Sequence, residues 1–136
     1  MGKIIFEAEV SLDGIMNGPE YWQQVFKYHS EDVKDYLNKL LFTADALILG
    51  RMTYEGFATV WPTRQGEDAN RINSMPKYVA SRTLGEPLAW NATLIKGDIP
   101  TALGKLKQEP SKNLVQYGVG ELTNTMLQYG IVDELH

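Results

Sequence analysis

The 136-residue sequence has no cysteine and only two histidines, His29 and His136. These absences rule out a disulfide scaffold, a thiolate zinc site, a redox dithiol and a cysteine nucleophile, and metal chemistry is not expected. Long apolar runs are missing too. The stretch Ala44 to Leu49 is interrupted by Asp45, far short of the roughly 20 residues that span a bilayer, so no membrane partner is expected. Basic charge is scarce: 13 Lys and Arg face 17 Asp and Glu, for a net charge of −4, with no Lys/Arg run. The electrostatic footprint of a nucleic-acid binder is therefore lacking. The first residues hold no long apolar stretch before a small-residue cleavage site, so a cytoplasmic location is expected. No repeat, linker or low-complexity tract divides the chain, and one domain over residues 1–136 is expected.

What is present reads as strand and helix in alternation. Lys3 to Val10 is rich in β-formers, and Ser11-Leu12-Asp13-Gly14 with Asn17-Gly18-Pro19 turns it into a loop. Ser30 caps a helix whose Val33, Tyr36, Leu37, Leu40 and Leu41 predict one buried stripe. Ala46-Leu47-Ile48-Leu49, ending at Gly50, suits a strand covered on both faces. A helix over Arg51 to Val60 follows, with Met52, Phe57 and Val60 as its apolar set and Trp61-Pro62 as its stop. A polar loop from Thr63 to Asp68 leads into a turn or two of helix. Strands are predicted at Lys77 to Ala80, Ala92 to Ile95 and Asn113 to Tyr117. Asp98 caps a helix over Ile99 to Gln108 that Pro110 closes, and Gly118-Val119-Gly120 opens another with Leu122, Met126 and Leu127 facing inward. Ile131 to Leu135 begins a final strand. The alternation predicts an α/β three-layer sandwich, a largely parallel sheet with helices on both faces.

In such a sheet ligands collect where strands end, so the turns leaving each strand are the place to look. Gly50, Arg51 and Thr53 put a flexible residue, a guanidinium and a hydroxyl on a helix's first turn, which favours an anion. A plain glycine turn with a solvated arginine has the same sequence. Ser81-Arg82-Thr83 surrounds a guanidinium with hydroxyls, a set suited to a phosphate monoester and, on a dinucleotide, one that selects NADP over NAD. Gly118-Val119-Gly120-Glu121 resembles half of a dinucleotide fingerprint, but Thr123 stands at the third glycine position. Each signal is weak alone; all three lie at strand exits and match different parts of one molecule. A flavin or other nucleotide phosphate would use the same turns. There is neither a G-x-S-x-G elbow nor a P-loop.

These residues also carry a resemblance. Ser11-Leu12-Asp13-Gly14, Leu49-Gly50-Arg51-Met52-Thr53-Tyr54-Glu55 with Phe57 and Trp61-Pro62, Pro76-Lys77-Tyr78-Val79-Ala80-Ser81 and Tyr117-Gly118-Val119-Gly120-Glu121-Leu122 occur in this order. Along its length the chain resembles the dihydrofolate-reductase-like family, in the branch of the reductase domain of the riboflavin-biosynthesis deaminase-reductase. The resemblance implies that fold, NADP(H) as cofactor and hydride transfer to a pteridine or pyrimidine-type ring, as in reduction of 5-amino-6-(5-phosphoribosylamino)uracil or dihydrofolate. It assigns Gly50, Arg51 and Thr53 to the cofactor phosphates and Ser81 and Arg82 to the adenosine end. Gly118, Val119, Gly120, Glu121 and Leu122 fall to the pyrophosphate and nicotinamide side, with Val10 and Ser11 bordering the nicotinamide.

Asp13 and Trp22 are candidate substrate contacts, and Tyr21, Trp22, Phe57 and Trp61 are candidate walls for a flat ring near the Asp13 loop. The catalytic proton donor stays open: Glu31, Asp32 and Asp35 all lie where relatives place a carboxylate. Family members usually continue into a further hairpin, so the edge strand Ile131 to Leu135 is expected to be covered by a partner subunit, a homodimer, or to belong to a fragment. A non-catalytic nucleotide-binding protein of the same fold is the alternative.

Overall fold

A computed structural model describes residues 2–109 and 112–136, with the side chains of Pro19, Trp22 and Gln23 outside that description. Pro110, the expected stop after the fifth helix, lies outside the described residues. In chain order the elements are β1 (Ile4–Glu7), α1 (Pro19–Val25), α2 (Glu31–Thr43), β2 (Ala46–Gly50), α3 (Arg51–Val60), α4 (Glu67–Ser74), β3 (Lys77–Ala80), β4 (Ala92–Leu94), α5 (Ile99–Gln108), β5 (Leu114–Tyr117), α6 (Glu121–Gln128) and β6 (Glu134–Leu135). Short 3-10 turns follow α1 and α3, at Phe26–Tyr28 and Trp61–Thr63. The six strands form one sheet in the order β4-β3-β2-β5-β1-β6, and every pairing is parallel.

The alternation along each strand sorts side chains into two cores. Ile5, Leu47, Leu49, Val79 and Val115 face Leu40 and Leu41 of α2, Tyr54 of α3 and Ile72 of α4. Ile4, Ala46, Ile48 and Leu114 face Leu103 of α5 and Met126 of α6. Strand β2, apolar throughout, is therefore covered on both sides, as its composition predicted. The caps formed as read: Ser30 Oγ accepts from Val33 N–H at 3.4 Å and Asp98 Oδ2 from Thr101 N–H at 3.0 Å.

Several local expectations give way. Strand β1 stops at Glu7, short of Val10, because the ladder to β5 ends at the Glu7–Tyr117 pair. Helix α1 occupies part of the expected loop; Gly18 followed by Pro19 in the first turn was its signal. On α2 only Leu40 and Leu41 are buried. Val33 and Tyr36 stay exposed because the helix's first half lies over the sheet margin, where Tyr36 stacks on His136. On α3 the buried residue is Tyr54, with Phe57 packed beside it, while Met52 and Val60 face solvent. On α6 Thr123 and Met126 point inward and Leu127 is exposed, because the helix begins at Glu121 and its 100° steps place Leu127 outside.

The amino edge of the sheet is tied by a polar knot under α4. Lys77, fully buried at the start of β3, donates from Nζ to Asn73 O at 3.0 Å and lies 4.0 Å from the centre of the Trp90 ring. Burial pulls its ammonium down to about 8. Asn73 accepts from Trp90 Nε1 at 2.6 Å and donates from Nδ2 to Trp61 O at 3.0 Å, joining three segments through one amide.

Candidate functional site

Because all six strands are parallel, every strand exit opens on the same edge of the molecule. The connections leaving β1 and β2 run over the face carrying α2 and α3, whereas the one leaving β5 runs over the opposite face to α6. Strand β5 lies between β2 and β1, so a crevice opens beside its end where neighbouring connections part.

Two helices begin at that crevice, α3 at Arg51 and α6 at Glu121, with first-turn N–H groups that have no partner within the helix. The three turns singled out by sequence meet here. Gly118 has φ +86°, and a Cβ placed on it would stand 2.2 Å from Thr53 Oγ1, so the β5 exit presses directly on the first turn of α3. Arg82 Nη2 donates to Glu121 Oε1 at 2.8 Å, linking the β3 exit to the start of α6. Arg51 is paired with Glu55 at 3.0 Å. Both pairs are exposed, Arg82 by 85% and Glu121 by 76%, and an anionic ligand can replace their carboxylates at little cost.

The remaining predicted residues divide by what holds them. Ser81 Oγ accepts from the N–H groups of Thr83 and Leu84, at 3.1 and 3.0 Å, so its acceptor capacity shapes the turn that presents Arg82. Leu122 packs against the α5/α6 core and offers the crevice only its backbone. Val119 and Gly120 lie in the turn itself. Val10 is exposed, and Ser11 Oγ accepts from Ile15 N–H at 2.9 Å while donating to Asp13. Asp13 thus braces its own loop. The side chain of Trp22 lies outside the described residues. Phe57 and Trp61 do not join Tyr21 in a ring pocket: they pack into the core with Trp90 and Tyr117, Phe57 lying 6.2 Å from Trp61 and 6.1 Å from Tyr117. Glu31, Asp32 and Asp35 are all exposed on the first turns of α2, Glu31 beside Lys34.

Sequence reasoning missed three residues. Gln116, buried on β5, donates from Nε2 to the carbonyls of Tyr117 and Gly118. Buried Thr123 donates to Gly118 O at 3.1 Å and accepts from Gly120 N–H at 3.3 Å. Together they hold the glycine turn from below. The third is Glu7, 6% exposed at the end of β1 and paired in register with Tyr117. Its carboxyl makes no hydrogen bond among the described residues, and burial, then the charge of Glu9, pushes it up to about 7. Burial and the charge of Glu7 in turn push the Tyr117 phenol up. The two-residue spacing from Ile5, in a strand covered on both faces, was the signal that Glu7 points inward.

Beyond the β1 exit an open groove of about 680 Å³ runs between the Val10–Ser11 segment and α1, walled by Ile15, Tyr21 and Tyr28. Just before this segment Glu9 places its Oε2 2.7 Å from His29 Nε2, in a pair mostly withdrawn from solvent.

This parallel sheet, with its crevice at the end of β5, has the dihydrofolate-reductase-like fold. It is similar in structure to a riboflavin-biosynthesis candidate of Shewanella sp. PV-4, with a TM-score of 0.67 and 22% identity over 99% of this chain and 74% of that one. It is also similar to a pyrimidine reductase-like protein of Corynebacterium diphtheriae, with a TM-score of 0.65 and 15% identity over 98% and 72% of the two chains. The uncharacterized protein YyaP of Bacillus subtilis is 29% identical over 140 residues, which is 97% of this chain and 71% of YyaP. The model of the RibD C-terminal domain matches residues 2–136, and the chain belongs to that reductase-like family. No helix among the described residues is long and apolar enough to cross a membrane.

Proposed function

We propose that this protein is an NADP(H)-dependent reductase that transfers a hydride to a small pteridine or pyrimidine-type heterocycle. The observation that carries the reading is the meeting of three strand exits, through the Gly118–Thr53 contact and the Arg82–Glu121 pair, at the crevice beside β5. The donor set fits a dinucleotide. Two helix N-termini and a turn without side-chain bulk at Gly118 and Gly120 suit a pyrophosphate, with Gly50, Arg51 and Thr53 on one side of it. Arg82, presented by the Ser81 turn, suits a 2′-phosphate that displaces Glu121. Val10 and Ser11 border the nicotinamide in this reading. The nicotinamide, when bound, supplies the hydride; the protein aligns the acceptor ring and keeps water away. Membership of a reductase-like family supports the same reading. The reading includes a homodimer through the β6 margin, supported by the exposed Leu135 there, and sedimentation would show it as twice the chain mass.

Titration with NADPH and NADH tests the core of the proposal. The expected result is a clear preference for NADPH that Arg82→Ala abolishes; equal affinity in the unaltered protein discards the role of Arg82. NADPH oxidation is then followed across a panel of pteridines and aminopyrimidines. Tight cofactor binding with no oxidation by any of them would point instead to a nucleotide-binding protein without turnover.

A further inference from the structure

Ring reduction takes up a proton as well as a hydride, and one buried group at the strand exits is placed to give it. Glu7 is the last residue of β1, in register with Tyr117, the last of β5, so it borders the Gly118 turn. Ile5, two residues earlier on the same side of the strand, packs into the core under α2 and α3. Tyr117 packs against that core too, its ring 6.1 Å from Phe57 of α3. The Glu7 carboxyl therefore lies on the α3 side of the sheet at the head of the crevice. It has no hydrogen-bond partner among the described residues, and the residue is 6% exposed. Its oxygens are not wholly shut off, since Arg71 Nε is the described polar atom that is both unpartnered and enclosed. Around it, β5 brings Tyr117, whose phenol burial pushes up and so keeps protonated. Glu9, two residues further on, is paired with His29. On β6 Glu134 pairs with Lys3 and His136, and Tyr36 of α2 bonds to His136. Tyr54 of α3 donates to Ala89 O at 3.1 Å. Glu31, Asp32 and Asp35, the carboxylates singled out by sequence, stand exposed on α2.

We infer that Glu7 is the catalytic acid of this site, giving its carboxyl proton to a ring nitrogen of the acceptor as the neighbouring carbon receives the hydride. This rests on the reductase reading for the reaction, while the placement of the carboxyl stands on the fold alone. As the new C–H bond forms, the electron pair of the ring C=N bond moves to nitrogen, which takes the Glu7 proton. The ring gains the two electrons that the nicotinamide loses, and Glu7 is left a carboxylate. Water at the opening returns the proton. Burial, then the charge of Glu9, holds the carboxyl up at about 7, so it still carries a proton at neutral pH, where a carboxyl in water has lost it. An unpartnered buried carboxyl costs stability, and such groups gather where chemistry is done.

The pH profile of NADPH oxidation, with a pteridine or aminopyrimidine that turns over, tests this directly. In the unaltered protein kcat/KM should fall about tenfold for each pH unit above about 7. Glu7→Gln should lower it by about 10²–10⁴-fold and remove that fall, with NADPH affinity unchanged. Glu7→Asp keeps the acid on a shorter stem and should recover part of the rate together with the pH dependence. A Glu7→Gln variant that keeps the rate, or keeps the fall above pH 7, overturns the proposal. A second measurement needs no turnover. The infrared C=O stretch of a protonated carboxyl, absent from Glu7→Gln, should fade as pH rises through about 7, and should shift when pterin or 2-aminopyrimidine is added to the protein with NADP⁺. A band that neither ring moves, or one that Glu7→Gln retains, overturns the proposal. Failure of every ring to oxidise NADPH counts against the reductase reading alone, and the infrared response then still decides whether Glu7 donates to a ring nitrogen.

Discussion

Glu7 allows the most quantitative test of the structure. An unfolded chain releases the proton of this carboxyl near the ordinary value of 4.5, whereas burial among β1, β5 and the overlying helices holds it until about 7. Below 4.5 both states carry the proton and the group does not affect stability relative to a neutral side chain. Between 4.5 and 7 the unfolded state ionises and the folded state does not, so stability falls as pH rises; above 7 the loss is complete and flat. At about 1.4 kcal/mol for each tenfold change in the proton equilibrium, the full loss is about 3 kcal/mol. Glu7→Gln keeps the shape and cannot ionise. Urea unfolding at pH 4.5, 6 and 8 should show the variant near parity at the lowest pH and more stable by about 3 kcal/mol at the highest. Effects from other titrating groups are common to both proteins and cancel in the difference. Parallel loss of stability by the two proteins across this range would refute the burial of an unpartnered carboxyl at the end of β1.

Three other perturbations have definite outcomes. Gly118→Ala brings a methyl within 2.2 Å of Thr53 Oγ1 at a backbone with φ +86°, and should cost about 1–3 kcal/mol in thermal or urea unfolding. Adding Thr53→Ala, which removes the nearest atom, should recover part of the loss. Asn73→Ala strips Trp90 Nε1 of its acceptor and takes one of two donors from Trp61 O, which keeps Arg64 N–H, and should lower stability by about 1–3 kcal/mol in the same assay, with NADPH affinity unchanged. Arg82→Ala removes only an exposed pair, so its melting temperature should match that of the unaltered protein while NADPH binding weakens.

Most of the scaffold was legible because local rules and tertiary packing agree in it. Helix α5 lies between Asp98 and the end of its apolar stripe as predicted, and β2 with α3 breaks at Gly50 as the composition requires. Where the two disagree, the sequence misled. The apolar stripe of α2 continues over Val33 and Tyr36, but these positions lie at the sheet margin, where Tyr36 meets His136 and both stay exposed. The helix at Pro19–Val25 lacks a clean apolar period and was hidden behind turn residues. Of the site, the turns were readable because glycines, hydroxyls and arginines at strand ends have a local signature. Gln116 and Thr123 were not, since their role is to grip the Gly118 turn from two positions before it and five after it in the folded chain. Glu7 escaped for a related reason: its environment comes from β5 and Tyr117, more than a hundred residues distant in sequence.

The knot of Lys77, Asn73 and Trp90 lies at the opposite end of the strands from Arg82 and Gly118. A protein arranged this way has a foundation and a workbench at opposite ends of one sheet, joined on one face through the Phe57 ring, which meets Trp90 on the one hand and Tyr117 on the other. Tightening the foundation, by substitutions around α4 and the start of β3, should therefore raise thermal tolerance without blunting whatever the workbench does, and variation in the loops opposite can explore new ligands on a frame that stays put.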